Sequence, residues 1–384
     1  MNPVKTNYNL LTEEQRAIRE MVRDFADREI IPTCKELERE GVFPRELYRK
    51  AFEMGLTTFI IPEKHGGAGG DIFTYSLIKE ELARGDAGFS GYVSGAYMGA
   101  IPVMLAGTDH HWKLVSDVLC NGGVMSFALT EPGSGSNSAA MRTTYRRVGG
   151  EYVINGRKCF ISSGEVSDMF LLFATEDPAL GKDGISAFLV PRSCEGVSVG
   201  KHEDKMGYRT SLTNDIVFEE VRIPAANLIG REHGGMALSN EALNYTRPTA
   251  GAGAVGNAQY AFEQAVEYSK VRTTFGHPIC KNQGISFMLA DMYTLLESAR
   301  QMVWHACKCA DAGVFDRRLG SAAKCFAADA GMKVCEDAVQ VLGGYGYSRE
   351  YPVEKRMRDA KIYQIFEGTN QIQRMIIASD ILHS

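Results

Sequence analysis

The hydrophobic period of this chain changes twice, and those two changes constrain its architecture more than any single residue does. Up to about residue 120 apolar residues recur at helical spacing. Thr12-Glu13-Glu14-Gln15 has the form of a capping box, and Ile18, Met21, Val22 and Phe25 then share one stripe. Pro32 is expected to end that helix. A second helix runs from Pro44 to about Met54, followed by a Gly-rich turn over 62–70. That turn lacks the Gly-Lys-Ser/Thr ending of a phosphate loop and reads as structural. Helical patterning resumes at Ile72–Gly85 and through the Met98–Cys120 region.

From about Gly122 the period falls to two. Val124–Leu129, Thr143–Val148, Tyr152–Ile154, Met169–Ala174, Ser186–Val190 and Asn214–Val221 are short β-type runs, divided by turns such as Gly149-Gly150 and Asn155-Gly156. From about Gly235 the helical period returns, with long runs at Ala252–Val271, Ile285–Ala312 and Leu319–Leu342. At 384 residues the chain exceeds one ordinary core, so several packed units are expected. The order of periods divides it into helices (1–121), sheet (122–234) and helices (235–384), an α+β fold.

A net charge of −5 argues against nucleic acid or an anionic membrane surface as the main partner. No apolar run approaches the ~20 residues that span a bilayer, so no membrane insertion is expected. Met1–Lys5 lacks the marks of a targeting segment. Nine cysteines at irregular spacing do not look like a disulfide framework, and reduced thiols in a cytoplasmic protein are expected. Cys307-Lys308-Cys309 lacks the CxxC spacing of a zinc site even with His305 nearby, and no metal is expected.

Four segments have chemistry in them. Phe127–Asn137 joins a strand to a Gly/Ser loop whose hydroxyls and free N–H groups can bind a polar ring edge or a phosphate. Arg272–Gly276, with Gln283 beyond, offers a cation and an aromatic after a long helix. Gln340–Tyr347 ends a helix in glycines that permit close backbone approach. Glu367 is a carboxylate flanked by Ile365, Phe366 and a Gly-Thr turn. Apolar surroundings disfavour the charged form of a carboxylate, which is how one becomes a useful general base. Each segment alone is more often a cap, a turn or a surface charge than a site.

Taken in order, they resemble the acyl-CoA dehydrogenase family over nearly the whole chain. The carrying motifs are Thr130-Glu131-Pro132-Gly133-Ser134-Gly135-Ser136, the Gln340–Asp359 block and the strip from Arg358 to Thr369. The resemblance implies an N-terminal helical domain, a central β-barrel and a C-terminal four-helix bundle, with FAD between barrel and bundle in a homotetramer, or dimer of such units. Phe127, Leu129 and Thr130 would then meet the flavin edge, Phe160 would pack on its ring, and Ser162 would approach N5. Ser136 would serve both cofactor and CoA. Arg272, Phe275 and Gln283 should hold the pyrophosphate and adenine of one site, and Gln340 and Gly344 the FAD of a partner subunit. Thr369 and Gln371 should bind FAD near the base.

For the substrate, the resemblance implies CoA contacts from the Asn244–Arg247 stretch, a place for Gly368 beside the base, and an acyl pocket floored by Gly88–Tyr97, including Ser90, Tyr92 and Ser94. Tyr92 and Tyr97 either narrow that pocket toward short, branched or alicyclic chains or face the neighbouring helix. Ser90 stands where glutaryl-CoA members have an Arg, which argues against a dicarboxylyl group. Thr246 stands where some members keep an alternative Glu. Glu367 would take the pro-R α-proton as the β-hydride passes to FAD, giving a trans-2-enoyl-CoA, with electrons leaving to an electron-transfer flavoprotein. An oxidase, a reductase or a non-catalytic binding member on the same scaffold are the competing expectations.

Overall fold

In a computed structural model the described residues are 11–383, so the Met1–Lys5 stretch lies outside them. Six helices come first: α1 (Glu13–Phe25), α2 (Ile31–Glu40), α3 (Arg45–Glu53), α4 (Ile72–Gly85), α5 (Ala87–Ala106) and α6 (Asp109–Leu119). The capping box forms, Gln15 N–H donating to Thr12 Oγ1 and Thr12 N–H to Gln15 Oε1, each at 3.1 Å. Pro32 does not end the helix. A π-helical turn over Ala26–Ile30 precedes it, and the helix continues as α2 to Gly41 at φ +62°. The widened turn shifts the ladder just where the ring has no N–H to give, so the chain absorbs the proline.

The sheet contains β1 (Met125–Ala128), β2 (Thr144–Val148), β3 (Glu151–Ser162), β4 (Met169–Thr175), β5 (Ile185–Pro191), β6 (Val197–His202), β7 (Thr213–Pro224) and β8 (Leu228–Ile229). Its hydrogen-bonded path is β6-β7-β3-β2-β4-β5-β8, with β1 parallel to β4. The path is open, yet the sheet rolls up. Strands β4 and β7 are three steps apart, roughly 14 Å if flat, but the Phe170 and Phe218 rings meet at 6.1 Å across the interior. Strand β6 escaped the sequence reading because it is a largely exposed edge with polar residues.

The second helical part holds α7 (Gly235–Val271), a small hairpin of β9 (Thr273–Thr274) and β10 (His277–Pro278), α8 (Gln283–Asp311), α9 (Arg317–Leu342), α10 (Val353–Tyr363) and α11 (Asn370–Leu382). Helix α7 begins at Gly235, well before Ala252, and carries Pro248 inside. Helix α5 corrects another expectation: it is long and apolar enough to cross a bilayer. Most of it is buried, packed on α4, α7 and β1, which is why its composition is apolar on every side.

One buried cluster joins the three parts. The Lys355 ammonium lies 2.7 Å from Asp86 Oδ2, between α4 and α5, and 2.5 Å from Asp359 Oδ2 on α10. Thr210, from the loop before β7, donates to Asp86, and Tyr208 N–H donates to Asp359. Burial alone would discharge Lys355, but the two carboxylates outweigh it and hold its pKa above the ordinary value. Arg84 is structural in the same way, bound to Glu263 at 2.7 Å and Asp27 at 2.5 Å.

Candidate active site

Glu367 lies in the short turn between α10 and α11, at φ +53°, followed by Gly368 at φ +89°. A non-glycine residue in the left-handed region is strained and persists only where its surroundings hold it. Here they do. Gln373 Nε2 donates to the carbonyls of Glu367 (3.2 Å) and Gly368 (2.9 Å). Lys324 Nζ, from α9, donates to Gly368 O at 2.8 Å and Asn370 Oδ1 at 3.0 Å. Thr369 caps α11, its Oγ1 accepting from Ile372 N–H at 3.2 Å. Seven described non-glycine residues have positive φ, and Phe160, Phe275 and Glu367 are three of them. Strain gathers at positions the sequence had singled out.

The Glu367 side chain is half-buried, and its Oε2 is fully enclosed with no hydrogen-bond partner among the described residues. Its N–H makes no hydrogen bond among them either. The charge of Glu367 acts on Arg247, Lys324, Lys79 and the tyrosines 75, 97 and 208. Burial pushes Lys324 down to about 8 against the pull of Glu367. Tyr208 reaches in from the sheet part, edge-on to Phe366 at 5.9 Å and to Tyr363 at 6.2 Å. Gly91 of α5 lets it approach, since a Cβ there would lie 2.6 Å from the Tyr208 hydroxyl.

Among the residues expected to floor an acyl pocket the structure separates one from the rest. Ser90, Ser94 and Tyr97 share one face of α5, whereas Tyr92 points to the opposite side. Its ring meets Phe43 at 4.7 Å and its hydroxyl accepts from Leu212 N–H at 2.8 Å, inside the N-terminal core. Tyr92 therefore leaves the substrate set. Tyr97 stays, stacked on Tyr75 of α4 at 4.4 Å with its hydroxyl donating to Tyr245 O. Ser94 Oγ donates to Ser90 O, and Ser90 Oγ is buried without a partner among the described residues. Arg247, buried on α7, donates to Asn244 Oδ1 at 3.1 Å, while its Nε and the neighbouring Thr246 Oγ1 have no partner among the described residues. Ser136 sits on an exposed loop.

At one end of the sheet, β1 and β3 bring five predicted cofactor residues together. Cys159 N–H donates to Thr130 O at 2.9 Å, Ser126 Oγ to Ser162 O at 2.7 Å, and Lys158 Nζ to Leu129 O at 3.0 Å. The Leu129 carbonyl is thus committed, leaving its N–H to offer. Phe160 presents its ring to solvent (61% exposed) and Ser162 is exposed beside it, while Phe127 turns back onto Phe173 at 5.1 Å. Gln371 is exposed on the first turn of α11.

The remaining five form a separate group. Arg272 and Gly344 line one cleft of about 600 Å³ with Tyr268 and Tyr345, the guanidinium 5.8 Å from the Tyr345 ring. Phe275 on the adjoining hairpin is 96% exposed, and Gln283 and Gln340 are exposed. Arg247 and Arg272 are 25 residues apart along continuous α7, roughly 37 Å at helical rise. The expected split of Arg272, Phe275 and Gln283 from Gln340 and Gly344 is therefore revised: Arg272 and Gly344 share one surface, remote from Glu367 of the same chain.

Sequence reasoning missed Tyr75, Tyr208, Lys79 and Lys324. The lysines had a signal, each a cation inside an otherwise apolar or alanine-rich helical stripe. The tyrosines had none, since their place depends on which helices meet.

The chain matches the models of the acyl-CoA dehydrogenase N-terminal domain over residues 12–121, middle domain over 126–221 and C-terminal domain over 233–382. An acyl-CoA dehydrogenase of Bacillus subtilis is 42% identical over 374 residues, covering 97% of this chain and 99% of its own. A 3-(aryl)acrylate reductase of Clostridium sporogenes is 38% identical over 378, covering 97% and 99%. Butyryl-CoA dehydrogenase of Megasphaera elsdenii superposes with a TM-score of 0.95 at 38% identity, covering 99% of this chain and 100% of that one. A chain from the structure of the electron transferring flavoprotein of Acidaminococcus fermentans superposes equally well at 39% identity, with the same coverage. The chain belongs to the acyl-CoA dehydrogenase family, oxidoreductases that act on CH–CH bonds.

Proposed function

We propose that this chain is an FAD-dependent dehydrogenase that converts a short, branched or alicyclic acyl-CoA to its 2-enoyl-CoA, with Glu367 as the base. The observation that carries the reading is Glu367 itself: a carboxylate oxygen enclosed without a partner, on a strained turn held by Lys324 and Gln373. A group so placed is ready to take a proton from a ligand that supplies the missing contact. Its N–H, which makes no hydrogen bond among the described residues, can donate to the thioester oxygen and stabilise the charge that develops there as the α-proton leaves.

The residues fit FAD. An exposed ring at Phe160, standing on left-handed backbone beside the hydroxyls of Thr130 and Ser162, suits a flat heterocycle with a polar edge. The flavin, when bound, supplies the hydride acceptor. The chain's own part is to orient the thioester, exclude water with Tyr75, Tyr97 and Tyr208, and hold the α-proton on Glu367.

Arg272 stands at the far end of α7 and shares its cleft with Gly344, too far from Glu367 of the same chain to share its cofactor; Phe275, Gln283 and Gln340 go with them. They are assigned to the FAD of a partner subunit, within a homotetramer built from dimers. Electrons are proposed to leave to an electron-transfer flavoprotein, in the cytoplasm. The similarity to a 3-(aryl)acrylate reductase supports a second direction, in which Glu367 returns the α-proton.

Anaerobic titration of the flavin-loaded protein with straight, branched, aromatic and cyclic acyl-CoAs tests the reading. At least one saturated acyl-CoA should bleach the flavin at a stoichiometry of one per site. Bleaching by none of them, with no reverse reaction on the enoyl-CoAs, overturns it.

A further inference from the structure

Four lysines are buried among the described residues, and three are partnered. Lys158 binds Glu131, Lys324 binds Gly368 O and Asn370, and Lys355 binds Asp86 and Asp359. Lys79, on α4 and only 5% exposed, has no hydrogen bond or ion pair among those residues. Its Nζ is not fully enclosed, unlike Ser90 Oγ and Glu367 Oε2, so it opens onto space that water or a ligand can enter. A largely buried ammonium without a protein partner is costly, and native folds place one where a ligand completes it or where its proton can be shed.

The position of Lys79 follows from the α4–α5 hairpin. Tyr75 and Tyr97 each stand eleven residues from the corner at Asp86, and their rings stack at 4.4 Å, so the helices run alongside in register. Lys79 is seven residues from that corner and Ser94 eight, which puts them at the same height to within about a turn. Lys79 also follows Tyr75 by four residues and therefore shares its face of α4. Ser90, one turn from Ser94, carries a buried hydroxyl with no partner among the described residues. The Glu367 charge bears on Lys79 as it does on Tyr75 and Tyr97, against the burial that lowers the Lys79 pKa. Beside the Lys79 amine stand two enclosed polar atoms without a partner among the described residues, the Ser90 hydroxyl and Glu367 Oε2.

We propose that Lys79 is a specificity residue of the acyl pocket, an anchor for acyl-CoAs whose chain ends in an anionic or hydrogen-bond-accepting oxygen. The inference rests on the acyl-CoA reading and narrows it. It also revises the argument from Ser90: the cation missing from α5 is supplied by the facing helix α4. A pocket lined by an amine and serine and tyrosine hydroxyls penalises a purely aliphatic chain, because the amine then stays unpaired, and rewards one that brings an acceptor.

The test compares kcat/KM of the holoenzyme, with an artificial electron acceptor, for butyryl-CoA, 5-hydroxyvaleryl-CoA, glutaryl-CoA and adipoyl-CoA. Wild type should prefer at least one oxygen-bearing substrate over butyryl-CoA by ~10-fold or more. In Lys79→Met that selectivity ratio should fall ~10–100-fold, and Lys79→Arg should restore part of the carboxylate preference. The hydroxyl and carboxylate arms separate a neutral acceptor from an anion. Wild type that turns over butyryl-CoA with no preference for any oxygenated chain overturns the anchor while leaving the dehydrogenase reading intact. A loss in Lys79→Met that is equal for every substrate also overturns it, assigning Lys79 to Glu367 instead. Failure with every acyl-CoA sinks the dehydrogenase reading itself and this inference with it.

Discussion

Replacing Lys324 by Met should damage catalysis far more than stability, because two opposing terms nearly cancel in the folded state. The ammonium donates to Gly368 O at 2.8 Å and to Asn370 Oδ1 at 3.0 Å, and hydrogen bonds from a charged donor contribute ~1.5–3 kcal/mol each. Against this, burial lowers Lys324 from 10.5 to about 8, a net penalty on the charged form of roughly 3 kcal/mol. Gly368 O keeps its bond from Gln373, and Asn370 keeps its bonds to Cys325 O and Asp329, so the variant leaves one acceptor, Asn370 Oδ1, short. Overall stability should stay within ~2 kcal/mol of wild type, a melting shift of a few degrees. The turn that aims Glu367 loses one of its two side-chain clamps, and a displacement near 1 Å is enough to reduce kcat/KM by ~10²-fold. The assay is anaerobic stopped-flow reduction by butyryl-CoA beside a thermal melt and a flavin-content measurement. Wild-type kcat/KM should also decline as pH rises through about 8, where the ammonium loses its charge, and the variant should lack that limb. A variant with normal reduction rate but a large loss of melting temperature or flavin would refute the reasoning, showing Lys324 to be a packing element only.

Other expectations follow from the same geometry. Lys158 and Lys324 titrate at about 8 in the folded protein, below their ordinary 10.5, because burial disfavours their charge. The unfolded chain therefore binds more protons between those values, and stability should rise with pH above 8. Buried Cys307, pushed up to about 12, and the buried tyrosines 75, 97, 208 and 363 reverse the trend above pH 9, since they ionise only on unfolding. Urea midpoints measured from pH 7 to 10.5 should pass through a maximum near pH 9, and a monotonic fall would contradict these assignments. Arg272→Ala and Glu367→Gln proteins, each inactive alone, should regain activity when refolded together, because a mixed dimer has one intact site; random pairing gives about a quarter of wild type. No recovery despite mixed dimers would place Arg272 and Glu367 at one flavin. Gly256→Ala should cost ~1–3 kcal/mol or more, since its Cβ would lie 1.9 Å from Glu80 O where α7 crosses α4, and a thermal melt reads it.

The alternation of periods was enough to find the helix–sheet–helix order, because burial on one face writes itself into spacing. It was not enough where a local rule was overridden. Pro32 carries the mark of a helix end, and the π-turn that accommodates it has no sequence signature. The first turns of α7, with Ser239, Asn240, Asn244 and an internal Pro248, carry no continuous apolar stripe for the helical period to show. Tyr92 could have been removed from the acyl pocket by helical geometry, being half a turn from Ser90, Ser94 and Tyr97. Glu367 stood out in the sequence as a candidate base only with its flanking motifs. The bond from Lys324 of α9 that holds its turn, and the packing of Tyr208 from the sheet part on Phe366, depend on tertiary contacts between segments far apart in the chain.

The central claim is that Glu367 moves the α-proton. The most direct measurement is exchange of solvent deuterium into the C2 position of a bound acyl-CoA by flavin-loaded wild type and Glu367→Gln, with flavin content and ligand affinity measured on the same samples. The account predicts that the variant keeps its flavin and binds the thioester but loses exchange by at least ~10³-fold. Exchange within tenfold of wild type would mean that another group takes the proton.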